Sequence, residues 1–481
     1  MPARFLTMIV LLLTLFSVSV TQAEEKRPPN IVFIMVDDLG KDWIGCYGAD
    51  NIETPHIDAL ADQGMTFHNV YSMPQCTPTR TTLLTGQYPY RTGWTNHWDV
   101  PRWGVGYFDW ETNTSFPQLL QAVGYKTAIA GKWQINDFRV EPETLKKHGF
   151  DDWCVWTGYE AGNKPSAERY WDPYIHTREG SKTYEGKFGP DLYCDFLVEF
   201  IQQHRDEPHM VYFPMALTHG PLVHTPDEPN ASSKEEKQKA MVGYTDKLVG
   251  RIVNAYDELG LRENTVLIFT TDNGSGGGVL GTVGGVRPSG GKASNFEGGV
   301  CEPFIVSQPG TIEAGIETDA LVDFSDLLPT FCELAGAKIP TDLTIDGKSF
   351  APLLSGRAND SPRDWILAMG HGPAIRDAAG VRGRTDYMNR VIRDKHYKVW
   401  TDDHGQITKL FDLKNDPAEK RNLLSAPPPT AKESLAKFRK VLAEMPEKDA
   451  RPMYRPRASL PWDKPIQSAG KNPAGKKRKK K

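Results

Sequence analysis

The chain has 481 residues, of which 39% are hydrophobic and 25% are charged, and its formal net charge is −4. These fractions are typical of a globular protein, and so small a net charge gives no reason to expect a nucleic-acid partner. The length excludes a minimal domain, since it allows two to four domains or one large α/β unit with a sizeable core.

The N-terminus is typical of a signal peptide. Arg4 precedes an apolar run from Phe5 to Val20, and small residues end at Ala23, where we place the cleavage point. The run is short for a membrane span, and no later stretch of the sequence is apolar enough to cross a bilayer. We therefore predict a signal peptide at residues 1–23, no transmembrane segment after cleavage, and a protein that is periplasmic or secreted.

Strands and helices alternate along the chain after this leader. The segment IVFIMVDDLG, residues 31–40, opens with six apolar residues, which predicts a strand buried on both faces of a parallel sheet. Further strands are predicted in TAIAGKW, HMVYFP and NTVLIFTT, and helices over residues 55–64, 76–86, 191–204, 237–261 and 324–336. This alternation predicts an α/β fold with a large mixed, mostly parallel sheet and helices on both faces.

The pattern changes after Leu354. The short β-rich pieces NRVIRDKHYKVW and ITKLFDL predict a small antiparallel sheet, and residues 430–444 predict a helix packed on it. From Arg451 the chain is rich in proline and basic residues, which predicts disorder. We expect a catalytic domain at residues 29–354, a small C-terminal α+β subdomain at 355–450 and a disordered basic tail at 451–481.

Polar residues directly follow two of the predicted strands. Asp37 and Asp38 end the first strand, and Asp272 and Asn273 follow VLIFTT in the same way. Ligands bind at the carboxyl ends of strands in open α/β sheets, and oxygen ligands suit Ca²⁺ or Mg²⁺ better than zinc. One such pair alone is more simply a turn, but two pairs indicate a divalent-cation site.

Cys76 opens the segment CTPTR at the start of a predicted helix. A reactive group there lies among free amide donors at the positive end of the helix dipole, which suits a nucleophile that handles an anion. Arg80 follows one helical turn later on the same face, where its guanidinium can neutralise negative charge. A buried structural cysteine is the alternative interpretation.

The pattern C-x-P-x-R, formed here by Cys76, Pro78 and Arg80 and followed by TTLLTG, resembles the signature of type I sulfatases. The resemblance continues in order through IVFIMVDDLG, AGKW, THGP, TTDNG, GGKASNFEGGVCEPFIV, DLLPTFCELAG and LFDLKNDPAEKRNL. These seven ordered matches extend along most of the mature chain. The chain is thus similar to arylsulfatase-like sulfuric ester hydrolases, whose fold is alkaline-phosphatase-like.

This resemblance implies the cofactors. Cys76 is expected to be converted to formylglycine, also called 3-oxoalanine, by a formylglycine-generating enzyme. The implied cation is Ca²⁺, with Mg²⁺ as the alternative, and its implied ligands are the four strand-end residues together with position 76. The implied substrate is a sulfated carbohydrate or an aryl sulfate.

The resemblance also implies the chemistry. One hydroxyl of the hydrated aldehyde attacks sulfur, and the second then drives out sulfate and restores the aldehyde. Lys132, His219 and Lys292 are the implied sulfate-binding residues. Either His219 or Lys292 is expected to protonate the leaving oxygen.

The chain departs from the family pattern at one position. The family has histidine two residues after the lysine of AGKW, where this chain has Gln134. That histidine is thought to deprotonate the second hydroxyl, which glutamine cannot do, although glutamine can orient a reacting group. His97, His224 and His371 are the candidates for a substitute base.

Two other functions stay open from the sequence. A phosphonate or phosphodiester hydrolase of the same superfamily would share the fold and the metal site, and formylglycine also occurs in that group. A non-catalytic protein that binds sulfated glycans is the alternative from another class, and Gln134 is its only support. Specificity is expected in the loops at residues 94–108 and 163–187, which are rich in aromatic and charged residues.

Overall fold

The structure, a computed structural model, describes residues 27–453 except for 97–107, 137, 139–140, 157–168, 277–278, 371, 373 and 378–379. The predicted signal peptide, most of the predicted basic tail and the candidate bases His97 and His371 lie outside the described residues, as do parts of both predicted specificity loops. Within the described ranges, no helix combines the length and apolar character that a membrane span requires.

A ten-stranded mixed sheet forms the centre of the described structure. Its strands are β1 (Asn30–Val36), β2 (Met65–Tyr71), β3 (Lys126–Lys132), β4 (Asp152–Trp156), β5 (Tyr174–Thr177), β6 (Gly180–Thr183), β7 (His209–Pro214), β8 (Thr265–Thr271), β9 (Cys301–Ser307) and β10 (Ile316–Asp323). They lie in the order β10-β2-β9-β8-β1-β7-β3-β4-β5-β6. Strands β8, β1, β7, β3 and β4 are parallel neighbours, whereas β9 and β5 run antiparallel to the strands beside them. The predicted mixed, mostly parallel sheet is confirmed.

Helices cover both faces of this sheet. The α-helices of the described residues are α1 (Pro55–Asp62), α2 (Cys76–Thr85), α3 (Pro89–Thr92), α4 (Phe116–Gln121), α5 (Thr144–Lys147), α6 (Gly189–Gln203), α7 (Lys234–Glu258), α8 (Glu297–Val300), α9 (Leu327–Ala335), α10 (Ala351–Leu354) and α11 (Lys432–Ala443). On β1, Phe33 shares a core with α4 and α9, while its neighbour Ile34 shares the opposite core with α6 and α7. Successive strand side chains point to opposite faces, so β1 is buried on both, as predicted.

Helix α7 begins at Lys234 rather than at the predicted Lys237. Ser233 accepts a hydrogen bond from the backbone N–H of Glu236 at 3.2 Å, and the Glu236 carboxylate accepts one from the N–H of Ser233 at 2.8 Å. This capping box satisfies donors that the first turn of a helix leaves free, so it fixes the earlier start.

A smaller antiparallel sheet follows in the chain. The later strands are β11 (Ile366–Met369), β12 (Ile375–Asp377), β13 (Gly380–Arg382), β14 (Arg390–Arg393), β15 (Tyr397–Thr401) and β16 (Ile407–Asp412). Four of them form a sheet in the order β11-β14-β15-β16, and β12 pairs with β13. Helix α11 packs on the four-stranded sheet through Leu435 and Phe438, which confirms the predicted small sheet with its helix. The exact domain boundary after Leu354 stays a prediction.

The strand order brings distant residues to one edge of the main sheet. Strands β8, β1, β7 and β3 are parallel neighbours, so their carboxyl ends lie side by side. Asp37 follows β1, Asp272 follows β8, Lys132 ends β3, and His219 lies in the loop after β7. The topology alone therefore assembles most of the predicted site.

Candidate active site

The four polar residues at the ends of β1 and β8 form one buried cluster. The backbone N–H of Asp38 donates to Asp272 Oδ1 at 3.2 Å, and Asn273 Nδ2 donates to Asp38 Oδ1 at 2.9 Å. Asp37 Oδ1 and Asn273 Oδ1 are buried and have no hydrogen-bond partner among the described residues. Since buried polar atoms nearly always have partners, these two oxygens fit the ligands of a cation.

Two buried cations balance part of this negative charge. Arg80 Nη2 donates to Asp272 Oδ2 at 2.7 Å and lies 3.5 Å from Asp37 Oδ2. Lys132 Nζ donates to the same oxygen of Asp37. Burial alone would raise the pKa of Asp37, but the cations around it, Lys132 foremost, hold that pKa well below its usual value. Asp37 is therefore ionised, as a cation ligand must be.

Lys292 and His219 both approach Asp38. Lys292 Nζ lies 2.6 Å from Oδ1 and 2.7 Å from Oδ2 of Asp38, and His219 Nε2 lies 3.7 Å from Oδ2. Burial, together with the charge of Lys292, lowers the pKa of His219 well below its usual value, so the ring is neutral near pH 7. His219 Nδ1 lies 2.6 Å from the carbonyl oxygen of Gly220.

The neutral imidazole of His219 lies close enough to the Asp37 and Asp38 carboxylates to bind the same cation. Ligand atoms of Asp37, Asp38 and His219 are within 4.8 Å of one another. Sequence alone assigns His219 to sulfate binding and cannot show this proximity. Oxygen ligands still outnumber the single nitrogen, so the donor set continues to suit Ca²⁺ or Mg²⁺ better than zinc.

Cys76 is buried at the first position of α2. The helix start is tied to the cluster through Thr79, whose Oγ1 lies 2.8 Å from the carbonyl oxygen of Asp272 and 3.1 Å from that of Met73. Arg80, on the same helix, reaches the Asp272 carboxylate. The CTPTR segment thus places position 76 and the arginine around one strand end, and it gives Thr79 a structural role that sequence did not assign.

Gln134 follows β3 with its backbone in the left-handed region, at a φ of 64°. Asp38 and Ala293 share this conformation, with φ values of 62° and 65°. Gln134 Oε1 is buried without a hydrogen-bond partner among the described residues.

His224, one of the candidate substitute bases, is exposed and stacks on Trp171, with 5.2 Å between ring centroids. The described contacts therefore place His224 against an aromatic ring and identify no substitute base beside Gln134.

Arg169 is a buried cation next to the site that sequence reasoning missed. Its guanidinium lies 4.3 Å from the centroid of the Trp156 ring, and its Nη1 lies 3.2 Å from His219 Nδ1. No recognisable motif contains Arg169, so only the fold reveals that it supports the histidine.

The C-terminal sheet holds the loop that carries Lys292. Glu297, the first residue of α8 just after this loop, accepts hydrogen bonds from Lys398 Nζ at 2.9 Å and Arg393 Nη1 at 2.7 Å. The backbone N–H of Glu297 donates to Glu419 Oε2 at 2.7 Å. Glu419 lies in the segment LFDLKNDPAEKRNL, so this late signature contacts the end of the loop that carries Lys292, which we call the lysine loop.

The fold and this buried charged cluster define an α/β enzyme whose site is built to bind an anionic ester. The sulfatase family matches residues 29–337, and a second family, described as N-sulphoglucosamine sulphohydrolase, C-terminal, matches residues 292–448. N-acetylgalactosamine-6-sulfatase of Mus musculus is 35% identical over 375 residues, which cover 73% of this chain and 71% of that relative. The ulvan-active sulfatase of Formosa agariphila is 29% identical over 457 residues, covering 89% and 83%.

Solved structures share the fold. A structure of Ps i-CgsB in complex with k-i-k-neocarrahexaose has a TM-score of 0.73 at 24% identity, covering 89% of this chain and 94% of that chain. The PsFucS1 sulfatase from Pseudoalteromonas sp. gives 0.67 at 23% identity, covering 88% and 92%. This chain belongs to the sulfatase family, and it is an arylsulfatase-like enzyme that hydrolyses sulfate esters.

Proposed function

We propose that this sulfatase desulfates carbohydrates, using a formylglycine formed from Cys76 and one Ca²⁺ ion. The buried cluster at the ends of β1 and β8 supports this proposal, because two oxygens there have no hydrogen-bond partner among the described residues and lie beside buried cationic side chains. The proposed ligands are Asp37, Asp38, Asp272, Asn273 and position 76. The number of oxygens favours Ca²⁺, since Mg²⁺ usually keeps several water ligands.

The hydrated formyl group would supply the nucleophilic oxygen, and the cation would supply Lewis-acid stabilisation of negative charge. The remaining tasks fall to ordinary side chains. Lys132 and Arg80 offset the negative charge of Asp37 and Asp272. Without these cations, the carboxylates would repel a sulfate ester as it approaches. Lys292, at the cavity side of Asp38, is placed to attract the sulfate group.

Lys292 is the proposed proton donor to the leaving oxygen. Burial would lower the pKa of Lys292, but the carboxylate of Asp38 raises it, so the ammonium group stays protonated. His219 presents Nε2 toward Asp38, and its proposed role is to orient the ester. Between the two donors that the sequence left open, the geometry favours Lys292.

The names of the relatives support a sulfated carbohydrate as the substrate class, since they refer to N-acetylgalactosamine-6-sulfate chemistry and to ulvan. Export belongs to the same proposal, because an exported enzyme can reach polysaccharides outside the cytoplasm. The predicted leader at residues 1–23 supports it.

The test is turnover by full-length protein produced in a host that has a formylglycine-generating enzyme. An aryl sulfate, an aryl phosphate and a panel of sulfated glycan fragments are compared, with Cys76→Ser as the inactive control. We expect sulfate release from the aryl sulfate and from at least one glycan fragment. Preference for the phosphate ester would overturn the proposed chemistry, and desulfation confined to aryl esters would overturn the proposed substrate class.

A further inference from the structure

One wall of the cavity over the candidate active site, formed by α7, is positively charged. The cavity has a volume of about 580 Å³ and is lined by Asp38, His219 and Lys292 on one side. The first turns of α7 form another side through Lys234, Lys237 and Gln238. This volume is within the range of about 300–1,000 Å³ that is usual for small-ligand sites, so the cavity accommodates more than a sulfate group.

The charges around this wall do not cancel. Glu235 pairs with Lys239 at 3.1 Å, and the Glu236 carboxylate is used in the capping box with Ser233. The side chains of Lys234 and Lys237 form no ion pair with any residue that the structure describes. The carboxylate of Asp38, which also lines the cavity, is already paired with Lys292.

The two lysines are held at a fixed place relative to the reacting centre. They are three residues apart on α7, so they share one helix face with Gln238. Gln238 Nε2 donates to Thr218 Oγ1 at 3.3 Å, and the backbone N–H of Thr218 donates to the carbonyl oxygen of Asp37 at 2.7 Å. This short chain of hydrogen bonds connects the helix to the end of β1.

We propose that Lys234 and Lys237 form a subsite for a second anionic group of the substrate. The preferred substrate is then a carbohydrate that carries the scissile sulfate ester and one further negative group, either a second sulfate or a uronate carboxylate. A wall with two uncompensated cations attracts such a group, whereas a neutral sugar would leave both ammonium groups facing an empty part of the cavity. This inference rests on the proposed function, because it names the substrate class of the same site.

The test compares the parent enzyme with the double variant Lys234→Gln/Lys237→Gln. Lys239→Gln is the matched control, since this lysine lies on the same helix but is already paired with Glu235. The substrates are a nitrophenyl sulfate, an N-acetylhexosamine that carries one sulfate, an N-acetylhexosamine that carries two sulfates, and a monosulfated disaccharide with a uronate. Calorimetric binding of both dianionic sugars to the Cys76→Ser protein is measured as well, with and without the two substitutions.

We expect the double variant to lower the ratio of kcat/KM for dianionic over monoanionic substrates by about 5- to 30-fold, the scale of two partly exposed charge contacts. The loss should fall mainly on KM, should shrink at high salt, and should appear in the calorimetric affinity. The separate uronate and disulfate arms identify which anion is bound. An unchanged ratio and unchanged affinity, or an equal loss on all substrates, would overturn the subsite. Failure of the parent enzyme on the nitrophenyl sulfate would instead contradict the proposed chemistry, while the calorimetric arm would still decide the subsite.

Discussion

Arg80 Nη2 donates to Asp272 Oδ2 at 2.7 Å, and both side chains are almost completely buried. Asp272 therefore has two tasks, since it compensates the guanidinium and is a proposed cation ligand. We expect Asp272→Asn to reduce kcat by orders of magnitude, to lower the content of bound Ca²⁺ and to lower Tm, because breaking a buried ion pair costs about 3–5 kcal/mol. Asp227→Asn, in an exposed pair with Lys247, is the control. Kinetics, elemental analysis and thermal melts provide the measurements, and full activity after exhaustive chelation would refute the cation site.

Position 76 should carry an aldehyde in active enzyme. Cys76 is buried at the start of α2, and the carboxylate of Asp272 is tied to the same turn through Arg80. Peptide mass spectrometry should find formylglycine in protein from a competent host, and Cys76→Ala should abolish nearly all turnover. Cys46→Ser, at a half-buried cysteine outside the motif, should retain activity. Detection of only unmodified cysteine in fully active protein would contradict the expectation.

Gln134 should orient a reacting group without accepting its proton. Its Oε1 is buried without a partner among the described residues, so a bound group can donate to it. We expect Gln134→Ala to lower kcat by roughly 10–100-fold, the scale of losing an orienting hydrogen bond at a reacting centre. Because we expect another base to complete turnover, rapid-mix kinetics with a chromogenic sulfate ester should show no initial burst of alcohol release in the parent enzyme. A stoichiometric burst would mean that sulfate release is slow and that no substitute base acts.

Glu302 should make the folded state less stable as the pH rises. Burial raises the pKa of Glu302 to about 8, and its carboxyl group contacts the hydroxyls of Thr271 and Ser72 at 2.8 and 3.2 Å. The native state then holds a proton that the unfolded chain releases near pH 4.5, so this contribution is present below that pH and is lost toward pH 8. Tm should fall less between pH 5 and 8 in Glu302→Gln than in the parent enzyme. The exposed control Glu433→Gln should follow the parent, and equal slopes in all three proteins would exclude the effect.

Glu419 should support catalysis through the lysine loop. Its carboxylate contacts Lys398 Nζ at 3.0 Å and the backbone N–H of Glu297 at 2.7 Å. We expect Glu419→Gln to lower Tm and to reduce kcat by about 10-fold with a smaller change in KM, because Lys292 would be less well positioned. Lys395→Gln, in an exposed ion pair near the same sheet, is the control. A variant that loses stability but keeps kcat would show that the contact is only structural.

Much of the fold and site is predictable from the sequence, for identifiable reasons. The apolar run before Asp37 marks a buried strand, and the alternation of strands and helices predicts that β8, β1, β7 and β3 run parallel, although it does not give their order. Strand β9, with the residues CEPFIVS, is not among the strands predicted from the sequence. It runs antiparallel between β2 and β8, which no local pattern reveals.

Contacts between distant segments account for what the sequence could not predict. Arg169 meets His219 across fifty residues of chain, and Glu297 meets Lys398 from a different sheet. In the sequence each of these residues looks like an ordinary charged surface residue, and only tertiary packing identifies its partner. The assignment of individual catalytic roles stays a prediction for the experiments above.

The left-handed backbone at Asp38, Gln134 and Ala293 limits how heat-resistant this enzyme can become without losing rate. At Gln134 and Ala293 a side chain in that conformation costs roughly 1 kcal/mol or more, whereas aspartate tolerates it better, and the rest of the fold must offset the strain. Glycine at position 293 would relax the backbone, yet it would also loosen the attachment of the neighbouring Lys292. Selection for thermal tolerance would therefore favour substitutions that relax the backbone at these positions, whereas selection for turnover would keep the present residues.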